Sequence, residues 1–105
     1  MGDTNYFGSI VKILEKPIQK IVNGKVLSTE FRAQLGQIRN SRIVNLVLWG
    51  NLARDIVNYY QVNDYIMIEG YLSSIHKSKN NLRQISQKLY ITIIKLYSVK
   101  TSLER

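Results

Sequence analysis

Residues Asn45–Tyr60 read NLVLWGNLARDIVNYY, and two periodicities meet inside them. From Arg42 to Trp49, Val44, Leu46 and Leu48 fall on one face of an extended segment. Ile43, Asn45, Val47 and Trp49 fall on the other, because successive strand side chains point to opposite sides. From Leu52 the interval changes: Leu52, Ala53, Ile56, Val57 and Tyr60 recur at helical spacing. That predicts a short amphipathic helix with Asn51 as its N-cap and Tyr60 in the core. A strand therefore runs through Trp-Gly straight into a helix. The only Trp of the chain stands at the strand's last position. If the Val44 row fills a core, Trp49 points outward.

The neighbouring segments repeat the strand pattern. Upstream, Leu27, Thr29, Phe31, Ala33 and Leu35 alternate with Ser28, Glu30, Arg32 and Gln34, the cleanest period of two in the chain. Asn23-Gly24 before it signals a hairpin turn. Residues 6–15 read as a first strand, ended by Pro17. Downstream, VNDY (62–65) breaks the helix. Tyr65–Leu72 reads as a strand with Ile66, Ile68 and Leu72 inward and Tyr65, Met67 and Tyr71 outward. SSIHKSKNNL (73–82) reads as a polar, basic loop, and a long strand runs from about Arg83 to Val99. The order is three strands, one helix, two strands. This is an all-β chain of one domain, 1–105, expected to close into a five-stranded barrel plugged by the helix between strands three and four. That is the arrangement of the oligonucleotide/oligosaccharide-binding (OB) fold; a generic α+β sheet is the alternative.

The 105 residues carry 15 Lys and Arg against 7 Asp and Glu, a formal charge of +8. An excess of that size favours a polyanionic partner. It is also segregated. Gly70–Leu103 holds no acid, while Lys77, Lys79, Arg83, Lys88, Lys95 and Lys100 lie there. The absence of Cys excludes disulfides and thiolate chemistry and fits a reducing compartment. One His excludes a His-cluster metal site within one chain. Asp55 and Glu69 are isolated, His76 has no readable partner, and GNLARD lacks the GxxxxGK[ST] pattern, so no enzyme and no cofactor are expected. The chain has no apolar run of membrane-spanning length, no signal peptide and no presequence, and its helix sets Arg54 beside Asp55; no membrane partner is expected.

VNLVLWGNLARDIVNYYQVNDYIMIEGYL (Val44–Leu72) resembles the centre of bacterial-type single-stranded-DNA-binding proteins. In that family an apolar strand ends in aromatic-Gly, and a Leu-Ala helix, a tight turn and an EG-x-L strand follow. Here those elements are Trp49-Gly50, Leu52-Ala53, Asn63-Asp64 and Glu69–Leu72. The WGNLA form is most similar to the short cyanobacterial and plastid branch, and the likeness extends over nearly the whole chain. GYLSSIHKSKNNL (70–82) also resembles the hairpin between the last two strands of the primosomal replication protein. The resemblance implies an OB-fold homodimer or homotetramer that coats single-stranded DNA without catalysis, in support of replication and repair, with Trp49 stacking a base. The family's other stacking positions correspond to the neighbourhoods of Ile38 and Arg39, Ile43 and Lys77, so at most one strong platform is expected. The family's acidic-hydrophobic tail tip is absent from YSVKTSLER, so recruitment of other enzymes through it is not expected.

Single strands expose base faces and phosphates together, so binding them needs flat aromatics and a cationic track. The positions where an OB barrel meets its ligand hold Trp49, Arg32 and Asn45 on strands, with Lys77, Lys79 and Arg83 in the basic loop. Gln34, Lys16, Lys20, Lys25 and His76 lie around them. The expected partner is single-stranded DNA, with RNA not distinguished. The alternative is an OB-fold assembly subunit with little nucleic-acid binding. Abundant Ile, Asn, Lys and Tyr match AT-rich codons, which with WGNLA points to a plastid-encoded protein or the bacterial cytoplasm.

Overall fold

The computed structural model describes residues 6–36, 42–78 and 85–99, with the backbone alone for 74–78 and 85–87. Six strands and one helix follow in the order β1 (Tyr6–Ile13), β2 (Ile18–Val22), β3 (Val26–Leu35), β4 (Arg42–Trp49), α1 (Asn51–Tyr59), β5 (Tyr65–Ser78) and β6 (Ile85–Ser98). Five strands form a ring in the order β1-β5-β6-β4-β3, and β1 returns to β3 through Val11–Leu35, Lys12–Gln34 and Ile13–Ala33. Every pairing is antiparallel except β4 with β6.

The inward rows are those the alternation predicts. Val44, Leu46 and Leu48 of β4, Thr29, Phe31 and Ala33 of β3, and Ile66 and Ile68 of β5 are buried. Their burial supplies the main driving force, about 1.5–3 kcal/mol for each large aliphatic side chain. The helix closes the barrel with Ala53 and Ile56, both buried. Thr29, the one buried hydroxyl on β3's core row, donates through Oγ1 to the Ala53 carbonyl at 2.8 Å and so ties helix to barrel. Tyr60 packs partly buried against the core, and its hydroxyl shares a hydrogen bond with Ser98 Oγ at 2.9 Å.

Three expectations need correction. The barrel ring has five strands, but β2 adds a sixth outside it, paired only with β3. Ile18, Gln19, Lys20 and Ile21 of β2 are all exposed; with no buried face there is no alternation to read. The stretch 73–82, expected as a loop, continues β5 to Ser78, pairing Ser73–Tyr90 through Ser78–Ile85. Beyond Ser73 these two strands pair only with each other among the described residues, outside the ring of strands whose core imposes alternation elsewhere. The N-cap is Gly50, not Asn51. Gly50 takes φ 65 and ψ −130, a region open to glycine and strained for other residues. Its N–H donates to the Leu27 carbonyl at 2.9 Å, and its own carbonyl accepts from the Arg54 N–H at 3.2 Å. Asn51 is the first helical residue and accepts from Arg54 Nη2 at 2.6 Å. The Trp-Gly pair is thus the hinge that turns β4 into α1.

Candidate nucleic-acid interface

The outward face of β3, β4 and β6 is laid out by register. Ser28 lies opposite Trp49, Glu30 opposite Val47, Arg32 opposite Asn45 and Gln34 opposite Ile43. β6 adds Tyr90 beside Asn45 and Thr92 beside Val47. β2 adds Lys20 beside Ser28 and Ile18 beside Glu30. Trp49 is 43% exposed. For the largest apolar side chain in a small domain that is an open ring, available on the rim of this face with Lys20 two strands away.

Arg32 is on the face and exposed, but engaged. Its Nε donates to Glu15 Oε1 at 3.1 Å and its backbone N–H to Glu15 Oε2 at 2.8 Å. Asn45 spends an amide hydrogen on the Leu89 carbonyl at 3.3 Å, which fixes the side chain and leaves Oδ1 as an acceptor. Lys77 lies on β5 opposite Ser86, in the paired arm that extends beyond the barrel. Lys79, Arg83, Ile38 and Arg39 fall outside the described residues.

Four residues on or beside this face were not among the binding residues expected from sequence. Tyr90 stands next to Asn45, an aromatic that the alternation of Leu89, Ile91 and Ile93 would have placed outward. It is a second aromatic on the face, beyond the one platform expected. Glu30 sets a carboxylate in the middle of the face. Arg42 and Lys88 join Arg32, Ile43, Asn45 and Leu89 around a depression of about 470 Å3. Arg42 also lines the apolar mouth of the barrel with Val44 and Ile91.

Next in the ring, Tyr71 pairs with Thr92 and Tyr6 with Tyr71. The two Tyr rings meet edge to face, centroids 5.2 Å apart at 69°, so Tyr71 is already partnered. Tyr6 Oη donates to Glu69 Oε1 at 2.7 Å. That hydrogen bond to a carboxylate, ahead of any desolvation, lifts the Tyr6 phenol from its ordinary 10.0 to about 12. A raised value means the folded chain holds this proton more tightly than the unfolded one. The contribution is whole below pH 10.0 and is lost as pH rises through about 12. Thermal melts across that window should show an alkaline decline that Tyr6→Phe reduces. Equal declines in both proteins would show that the bond contributes nothing.

The described residues contain no helix long and apolar enough to cross a membrane. The architecture is that of an OB-fold barrel, with an open indole and several cations on its outer face. Several solved structures share the fold. The chain superposes on the single-stranded-DNA-binding domain of a Synechococcus sp. protein with a TM-score of 0.72 at 16% identity, covering 92% of this chain and 98% of that one. For a small single-stranded DNA-binding protein of Streptomyces coelicolor the TM-score is 0.78 at 12% identity, covering 93% and 96%. For the second single-stranded DNA-binding protein of Mycobacterium smegmatis it is 0.73 at 18% identity, covering 98% and 100%. No family model matches the chain. In sequence it is 37% identical over 98 residues to a ycf41 protein of Trieres chinensis, provisionally named there as a single-stranded DNA-binding protein. That match covers 89% of this chain and 87% of the relative. The chain belongs to the bacterial-type single-stranded-DNA-binding protein family, a family of non-catalytic binders.

Proposed function

We propose that this protein coats single-stranded DNA during replication and repair, in a plastid or a bacterial cell, holding the strand on the outward face of β3, β4 and β6. The observation that carries the reading is Trp49: an open indole at the end of a barrel strand, on the face that also holds Asn45 and Lys88, with Arg42 beside them. Stacking on an indole is indifferent to base identity, and Lys and Arg contacts to phosphate are indifferent to sequence. Together they suit a coating protein. Titrating oligo-dT should quench Trp49 fluorescence, an equal length of duplex should not, and added salt should weaken the effect. No response to single strands, with no shift in a gel, would sink the coating role and leave an OB-fold assembly subunit.

The same chain forms a homodimer or homotetramer through the outward face of β1, β5 and β6. Ile10, Met67 and Tyr97 make one row across these strands, and they are 46%, 38% and 43% exposed. Tyr65 and Ile94 are exposed as well. Monomeric proteins rarely leave so much contiguous apolar surface in water, and a symmetric copy of the same patch is the simplest cover. Sedimentation should find an oligomer in the wild type and monomer in Met67→Lys. A wild-type monomer at the highest concentration would end this part of the proposal.

A further inference from the structure

At the end of β4 remote from Trp49, three cations from three strands line one depression: Arg32 of β3 and Lys88 of β6 on the outward face, and Arg42 of β4 on the Val44 row at the barrel mouth. They are not equivalent. Both Glu15 oxygens are turned on Arg32, one on its Nε and one on its backbone N–H. Arg42 and Lys88 are exposed and have no carboxylate within ion-pair distance among the described residues. Ile43 and Leu89 give the space between them an apolar part, and Asn45, fixed by its hydrogen bond to the Leu89 carbonyl, lines it too.

Resting on the reading that a single strand lies on this face, we propose that Arg42 and Lys88 form its phosphodiester anchor, and that Glu15 offsets the charge of Arg32 beside it. A phosphate has what this site lacks: negative charge and several acceptor oxygens. The Arg42 guanidinium offers a planar fork of donors, and Lys88 a compact charge that adjusts its position. Ile43 and Leu89 provide a surface for the sugar. Arg32 meets a phosphate with its Nε already given to Glu15 and its charge offset by that carboxylate, so it attracts the phosphate less than Arg42 and Lys88 do. Arg42 and Trp49 stand at the two ends of the eight-residue β4, roughly 23 Å apart at about 3.3 Å per residue. A mononucleotide cannot touch both, so the ligand is an extended strand pinned by a base at one end of β4 and by a phosphate at the other.

The test is the salt dependence of binding, read with labelled oligo-dT of about 4–16 nucleotides on the full chain. For single strands each lost phosphate contact lowers the slope of log K against log salt by about 0.7. Arg42→Gln and Lys88→Gln should each lower it by that amount. Arg32→Gln should leave it unchanged, and Glu15→Gln should raise it by about 0.7, because Arg32 is released. All four positions lie at the surface, and thermal melts confirm that each variant is folded before its slope is read. A slope lowered by Arg32→Gln but not by Arg42→Gln and Lys88→Gln overturns the anchor while leaving the nucleic-acid reading intact. Wild-type protein that binds no single strand at low salt overturns the nucleic-acid reading itself. A slope unchanged in Glu15→Gln overturns the restraint on Arg32.

Discussion

Trp49→Ala should weaken binding of oligo-dT by about 5- to 150-fold, the loss of one stacked base worth about 1–3 kcal/mol. The slope of affinity against salt should stay where it was, because an indole displaces no counterions. That combination separates stacking from charge: the Arg42 and Lys88 variants change the slope, and this one changes only the intercept. The fold should tolerate the change. Trp49 is 43% exposed and sits opposite Ser28, away from the core row. Trp49→Phe keeps an aromatic face and should retain part of the affinity. Since Trp49→Ala removes the intrinsic fluorophore, anisotropy of a labelled oligonucleotide is the appropriate measurement. Affinity equal to wild type would show that Trp49 serves another surface and would shift the weight of binding to Tyr90 and the cations.

Gly70→Ala should destabilise the fold by about 3 kcal/mol or more, the upper end of what overpacking costs. Gly70 lies at the register shift between β5 and β6. A Cβ there would run into the Thr92 carbonyl, with the Thr92 carbonyl carbon 2.8 Å and the Ile93 Cα 3.0 Å away. All of these are backbone atoms, so no rotamer change relieves the contact, and the two strands must part. For a domain of this size the melting temperature should fall on the order of 15 °C. Far-ultraviolet circular dichroism on heating would measure it. A fall of less than about 4 °C would mean that the irregularity at Gly70 absorbs a methyl group. The Glu-Gly pair that helped mark the family is therefore a packing requirement between β5 and β6, as Gly50 is a turn requirement between β4 and α1.

Both glycines stand out in the sequence, yet only Gly50 could be understood there. Its place between a strand pattern and a helix pattern announces a turn. Gly70 sits inside a strand, and its neighbour Thr92 is distant in the chain. The same contrast runs through the site. Trp49 and Arg32 could be assigned to the outward face because alternation on β3 and β4 is local. Arg32's engagement could not, because Glu15 lies 17 residues away and reaches it only after the turn that follows β1. β2 escaped notice because an edge strand exposed on all sides has no reason to alternate.

The sequence by itself determined the barrel class, the inward rows of β3, β4 and β5, the turn into the helix, the outward Trp49 and the family. All of these rest on side-chain periods and short motifs that operate within a few residues. The tertiary structure alone decided which cations meet. Arg42 and Lys88 come together because β4 and β6 pair in parallel, an association with no turn between the strands to signal it. Arg32 lines the same depression but is already paired, because a carboxylate distant in the chain reaches its Nε. Charge on a chain attracts a polyanion in general; only the fold determines where a phosphate can lie.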